Sequence, residues 1–125
     1  MIDKSFVVRK IVNDLAEQAI GFKADIITTP PASSNKVGFA EYVARKISTV
    51  SGIKYLTVFK PHNTGKRFGM KAKIKPLNID FSQAITGKRV FLFDDFSMTQ
   101  HTMAQAIGSL KDNRNIVMGF VLYAN

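Results

Sequence analysis

Asp94 and Asp95 are adjacent carboxylates that follow an apolar run, Val90-Phe91-Leu92-Phe93, and open a short polar turn that leads into Thr102. The run has no polar alternation, which reads as a strand covered on both faces, as in a parallel sheet. The acids then stand at its carboxyl end, where open α/β sheets hold their ligands. Beyond the turn a helix begins, and its first backbone N–H groups lack partners and face whatever occupies that end. Such a place suits a phosphate, with the two acids left to orient a hydroxylated sugar or a magnesium ion. Thr99 and Thr102 offer hydroxyls that serve equally as helix caps or phosphate donors. His101 is a candidate cation when protonated, although a side chain of pKa ~6.5 is mostly neutral at pH 7. A second set of groups is cationic. Residues 54–75 carry Lys54, Lys60, Lys66, Arg67, Lys71, Lys73 and Lys75 with no acid among them. Such a block attracts a pyrophosphate or a nucleic-acid backbone, or is simply a solvated loop. Within it Lys66 and Arg67 lie between Gly65 and Gly69, which would let a lid close a cation over a departing anionic group.

The elements that must position these groups follow from periodicity. Val8, Ile11, Val12, Leu15 and Ala19 recur at helical spacing, so 5–20 is a helix with Ser5 as N-cap and Gly21 as a stop. Asp25 to Thr29 is a short strand ended by Pro30-Pro31. A small-residue loop follows, and residues 37–50 form a second helix with Phe39, Val43, Ile47 and Val50 on one face. Ile53 to Phe59 is a second strand, rich in β-branched and aromatic residues. Residues 60–86, with Pro61, Gly65, Gly69 and Pro76, are a long basic flexible loop with a weak hairpin at most. The strand 88–93, the helix 102–112 and the strand 116–123 complete the chain. Alternating strands and helices argue for a three-layer α/β domain: a mainly parallel sheet of four to five strands, spatial order 2-1-3-4, flanked by helices. In that order the loop after the first strand and the turn after the acids flank one crevice.

The stretch from Asp94 to Thr102 resembles the phosphoribosyl-pyrophosphate (PRPP) motif of the type I phosphoribosyltransferases. In that family an apolar strand precedes two acids, two further residues, a Thr-rich turn and another Thr. The resemblance implies that Asp94 and Asp95 hold ribose hydroxyls and magnesium, and that Ser97, Met98, Thr99, Gln100, His101 and Thr102 wrap the 5′-phosphate. It further implies a pyrophosphate loop at Thr29, Pro30, Pro31, Ala32, Ser33, Ser34, Asn35 and Lys36, and Lys66 and Arg67 as the catalytic cations. Thr29-Pro30-Pro31 followed by Lys36-Val37-Gly38-Phe39 looks most like the competence-associated ComF-like branch. Met98 stands where the family carries Thr, Ser or Asp, and Gln100 where it carries Gly. The base-recognising hood of many members has no counterpart in this sequence.

Composition narrows the alternatives. The 125 residues suffice for one domain, and with no cysteine there is neither a disulfide framework nor a thiolate nucleophile or metal site. No His or Cys spacing resembles a metal motif, and His62 reads as exposed. The N-terminus lacks the apolar core of a signal peptide, and no apolar run approaches the ~20 residues of a membrane span, so the expectation is a cytoplasmic protein without a membrane partner. Net charge is +9. Three readings compete. The first is an enzyme that transfers a 5-phosphoribosyl group to a nitrogen nucleophile with release of pyrophosphate. The second is a catalytically degenerate protein of the same fold that binds PRPP or a nucleotide. The third is a basic nucleic-acid-binding protein linked to DNA uptake or processing, with Tyr55, Phe59 and Phe68 as its aromatics. A homodimer is the expected assembly.

Overall fold

A computed structural model describes residues 4–30, 38–61, 79–81, 83, 85–97 and 101–124. The order along the chain is α1 (Lys4–Phe22), β1 (Ile26–Thr28), α2 (Phe39–Ser51), β2 (Lys54–Tyr55), β3 (Phe59–Pro61), β4 (Ile79–Phe81), β5 (Arg89–Ser97), α3 (His101–Asp112) and β6 (Ile116–Ala124). Four strands form one sheet in the order β2-β1-β5-β6, every neighbouring pair parallel. This is the 2-1-3-4 arrangement expected from the alternation of strands and helices. β3 and β4 form a separate antiparallel pair in which Phe59 faces Phe81 and Pro61 faces Ile79.

β5 carries the core on both faces. Phe91 and Phe93 pack with Val12, Leu15, Ile27, Val43 and Ile47 under α1 and α2. Val90 and Leu92 pack with Ile26, Val58, Phe59, Met103 and Leu110 under α3 and the β3–β4 pair. Successive side chains of a strand point to opposite faces, so an unbroken apolar run is what a doubly covered strand requires. β5 is also longer than the run of Val90 to Phe93 suggested. It continues through both acids to Ser97, held by pairing with β6 as far as Ser97 beside Ala124.

Other boundaries move for local reasons. Ser5 lies inside the first turn of α1 and is not its cap, and the helix passes Gly21 to end at Phe22. The left-handed position falls on Lys23 at φ 63°, whose N–H donates to the Ile20 carbonyl at 2.9 Å. α2 starts at Phe39 with Gly38 as an extended N-cap, and Gly52 closes it in the left-handed region at φ 80°. The strand expected over 53–59 is broken. Leu56 N–H still reaches the Ile27 carbonyl at 3.0 Å, but Val58 N–H donates to Thr28 Oγ1 at 3.4 Å, a side chain in place of a ladder carbonyl. The chain leaves the sheet there, and Phe59 stacks on Phe81 with ring centroids 5.4 Å apart. The region read as one long loop thus contains a strand pair whose base is part of the core; residues 62–78 lie outside the described residues.

One buried amide ties the rear of the sheet together. Asn115 is buried; its Nδ2 donates to the carbonyls of Ile85 and Leu110 at 3.1 and 2.9 Å, and its Oδ1 accepts from Lys88 N–H at 2.9 Å. An apolar replacement would strand these groups away from water. Asn115→Ala is therefore expected to destabilise the fold by about 2–4 kcal/mol, read from the midpoint of urea unfolding. A loss under about 0.5 kcal/mol would show that the three bonds are dispensable.

Candidate ligand site at the carboxyl rim of the sheet

β1 and β5 lie side by side at the centre of the sheet, and their pairing ends with Thr28 beside Leu92. The crossover from β1 runs through α2 to β2 on one side, whereas β5 continues through α3 to β6 on the other. The chain order therefore reverses between β1 and β5, the point where open sheets leave a crevice at their carboxyl ends. β5 projects five residues past its last partner on β1, and Asp94 and Asp95 sit on that projection.

By the pleat, Asp94 continues the row of Val90 and Leu92 on the α3 side, and Asp95 the row of Phe91 and Phe93 on the α2 side. Both are half-buried. Asp95 N–H donates to Asp94 Oδ1 at 3.0 Å. Burial raises the Asp94 carboxyl from its ordinary 3.8 to about 6, and the charge of Asp95 and a side-chain hydrogen bond to it add to the rise. The backbone bond from Asp95 acts the other way and is outweighed. A pair of acids that is hard to ionise fully without a cation is a natural partner for one.

The structure brings some of the expected site residues together and leaves others outside the described residues. Asp94 and Asp95 are at the rim, as expected, but within β5 and not beyond it. Ser97 is on that strand also and so is not part of a turn. His101 and Thr102 open α3, which begins one residue earlier than expected. Thr29 and Pro30 follow β1 directly; the Thr29 hydroxyl is 3.3 Å from that of Tyr55, tying the first residue of the loop to β2. Pro30 is buried. Pro31, Ala32, Ser33, Ser34, Asn35 and Lys36 of the expected pyrophosphate loop lie outside the described residues. So do Met98, Thr99 and Gln100 of the turn, the cations Lys66 and Arg67, His62, and Phe68. Of the remaining aromatics offered for stacking on bases, Phe59 is buried and Tyr55 is covered by the Arg45 guanidinium, 4.7 Å from its ring centre.

Two features escaped the sequence. Thr28 is a fully buried hydroxyl that turns the chain out of the sheet, and nothing in its local pattern distinguishes it from a β-branched strand residue. Phe39 and Val50, placed on the core face of α2, are instead exposed. The sequence signal was present: Val43, Ala44 and Ile47 already define a complete inward stripe, leaving Phe39 and Val50 to one side of it.

No protein-family model matches the chain, and no curated protein matches its sequence. Solved structures do match. A purine phosphoribosyltransferase from Pyrococcus horikoshii superposes with a TM-score of 0.62 at 20% identity, over 94% of this chain and 81% of that one. An adenine phosphoribosyltransferase from Thermoanaerobacter pseudethanolicus gives 0.65 at 16% identity, over 90% and 65%. The fold is phosphoribosyltransferase-like. A hypothetical protein from Neisseria gonorrhoeae with bound ppGpp shares it as well, with a TM-score of 0.62 at 17% identity over 94% of this chain and 66% of that one. Among the described residues no helix is long and apolar enough to cross a membrane.

Proposed function

We propose that this protein binds PRPP with magnesium at the carboxyl rim of its sheet and transfers the 5-phosphoribosyl group to a nitrogen nucleophile. The observation that carries the reading is the acid pair on the projecting end of β5, beside the reversal of chain order and ahead of the start of α3. Adjacent carboxylates are hard oxygen donors, and magnesium is commonly held by one or two of them together with substrate phosphates. Asp94 and Asp95 fit that role; the bound ion would neutralise pyrophosphate charge. The finer likeness to the ComF-like branch is supported by Thr29-Pro30-Pro31 and by Gly38-Phe39 opening α2.

In this reading the acids orient the ribose hydroxyls, the first N–H groups of α3 receive the 5′-phosphate, and the loop after β1 receives the pyrophosphate. The bond from C1 of the ribose to the pyrophosphate oxygen breaks with its electron pair leaving on the oxygen. The nitrogen lone pair forms the new bond to C1, and the proton lost from that nitrogen passes to solvent. Positioning and preorganised charge then supply most of the rate. Lys66 and Arg67 are the cations proposed to meet the departing pyrophosphate. Support comes from the roots of their segment: Phe59 and Phe81 pack with Val90, Leu92 and Met103, on the side of β5 where Asp94 lies.

Met98 and Gln100 favour a second outcome, binding without turnover. Calorimetry with PRPP, with and without magnesium, tests binding; release of pyrophosphate with candidate nitrogen acceptors tests turnover. Magnesium-dependent heat together with pyrophosphate release is expected. Heat without release selects the binding protein, and no heat removes both readings.

Binding should also report the state of Asp94. Its folded pKa of about 6 lies above the ordinary 3.8, so the free protein is largely protonated at this group below pH 6. The ligand needs the ionised form. Affinity for magnesium-PRPP is therefore expected to fall by up to ~10-fold for each pH unit below 6 and to level off above 7. An affinity flat from pH 5 to 7.5 would exclude Asp94 from the contact.

A further inference from the structure

Seven large apolar side chains are exposed among the described residues, and six of them lie on α1 and α2. Two flanking rows account for most of these. On α1, Phe6, Arg9, Asn13 and Ile20 are spaced by three, four and seven residues. On α2, Phe39, Tyr42, Lys46 and Val50 are spaced by three, four and four. At 100° per residue each set falls on one stripe, beside the stripe that faces the core. Phe6 is 59% exposed and Val50 56%, too open to belong to the interior. Between the rows the helices enclose an open groove of about 530 Å³, whose walls include Arg9, Asn13, Tyr42, Lys46 and Val50.

The charge of this groove is of one sign. Among the described residues that line it, Arg9 and Lys46 are the only ionisable groups besides the Tyr42 phenol. Lys46 Nζ sits 5.1 Å above the Tyr42 ring. The neighbouring cations are already matched within their own helices, Lys10 with Asp14 at 3.8 Å and Arg45 with Glu41 at 2.8 Å. Among the described residues Arg9 and Lys46 have no carboxylate partner. Two helices lying side by side, with exposed apolar side chains interspersed with cations along their outer seam, form a slot into which a third helix packs, ridges into grooves. Cations at the walls select the charge of the occupant. A second copy of this chain meets that condition poorly, because an isologous contact centred on the groove brings Arg9 and Lys46 toward their own counterparts.

We propose that the α1–α2 groove is a docking site for an acidic amphipathic helix of a partner protein. Its apolar stripe would cover Phe6, Tyr42 and Val50 while Glu or Asp at its borders pair with Arg9 and Lys46, the helix-in-groove mode of recognition. The site lies on the helical face of the sheet and involves none of the acid-pair residues, so it stands whether or not PRPP binds.

The test uses the whole chain and a labelled synthetic helix of about 18 residues, some 27 Å long, with Leu at positions i, i+3, i+4 and i+7 and Glu on both borders. A second peptide carries the same Leu stripe with Lys borders. Fluorescence anisotropy is expected to show saturable binding of the Glu peptide, at least ~10-fold tighter than the Lys peptide. Arg9→Glu/Lys46→Glu should reverse the preference, and Val50→Asp should weaken both peptides by at least ~10-fold. Because these positions are on the surface, thermal melts of the variants are expected to match the parent, which separates lost docking from lost folding. Equal binding of the two peptides, or binding of neither, overturns the proposal. So does sedimentation showing a dimer that Val50→Asp dissociates, which assigns the face to a second copy. Co-sedimentation with vesicles of anionic lipid that Arg9→Glu/Lys46→Glu abolishes, without peptide binding, assigns it to a membrane surface.

Discussion

Replacing Asp94 and Asp95 together by Asn is expected to weaken magnesium-dependent PRPP binding by at least ~100-fold while leaving the protein folded. Amides keep the size and shape of the carboxyls and remove the negative charge that a divalent cation and its sugar need. Stability should move the opposite way for Asp94 alone. A carboxyl whose pKa is raised on folding, here from 3.8 to about 6, favours the folded state most when protonated. Its stabilising share is complete below about pH 4 and is lost as the pH climbs through 6, the reverse of a salt-bridged aspartate. Asp94→Asn should therefore raise the melting temperature at pH 7.5 and leave it nearly unchanged at pH 4. In Asp95→Asn the burial cause remains and the charge repulsion goes, so Asp94 should titrate between its ordinary value and its present one. Retained PRPP affinity in the double variant would remove the acid pair from the site. A double variant that binds nothing and is also unfolded is distinguished by its circular dichroism.

The second large effect concerns the strand beneath the acids. Phe93 is fully buried, and its ring lies 6.4 Å from that of Phe120 at an interplanar angle of 19°. Phe93→Ala removes a ring from a close-packed interior and is expected to cost about 3–5 kcal/mol. Domains of this size have about 5–15 kcal/mol in all, so the loss removes a large fraction of the total stability. Phe93→Leu keeps most of the volume and should cost far less. Urea unfolding followed by circular dichroism measures both, and a loss below about 1 kcal/mol for Phe93→Ala would mean the cavity is refilled by neighbours.

Much of this architecture could be read from residue order because β5 is buried on both sides. Only a doubly covered strand needs Val-Phe-Leu-Phe without a polar break, and that run placed the acids toward the carboxyl end of a central strand, while the alternation of strands with helices pointed to the parallel sheet. Periodicity placed α1, α2 and α3 within a few residues of their ends. What it could not supply was non-local. Asp94 to Ser97 look like the end of a strand, yet they extend it because β6 continues alongside as far as Ala124. The apolar segment Ile53 to Phe59 looks like one strand, yet Thr28, thirty residues earlier, turns it out of the sheet with a side-chain oxygen. Phe39 and Val50 look like core and are surface, because the interior stripe of α2 is already filled by Val43, Ala44 and Ile47. The first two misses depend on a partner distant in sequence; the third was legible within α2 itself. The candidate site divides the same way: the acids and the helix start come from one contiguous stretch, whereas the reversal of chain order beside them depends on which strands are neighbours.

The β3–β4 pair has a consequence for how such a protein can diversify. Its two stems are fastened at Phe59–Phe81 and Pro61–Ile79 and are rooted in the same apolar cluster as α3. Whatever chain joins them begins and ends at fixed points a strand's width apart. Loop closure grows only logarithmically with length, so doubling the insert costs about 0.6 kcal/mol. The stems thus form a socket in which one insert can be exchanged for another without disturbing the frame that carries Asp94 and Asp95.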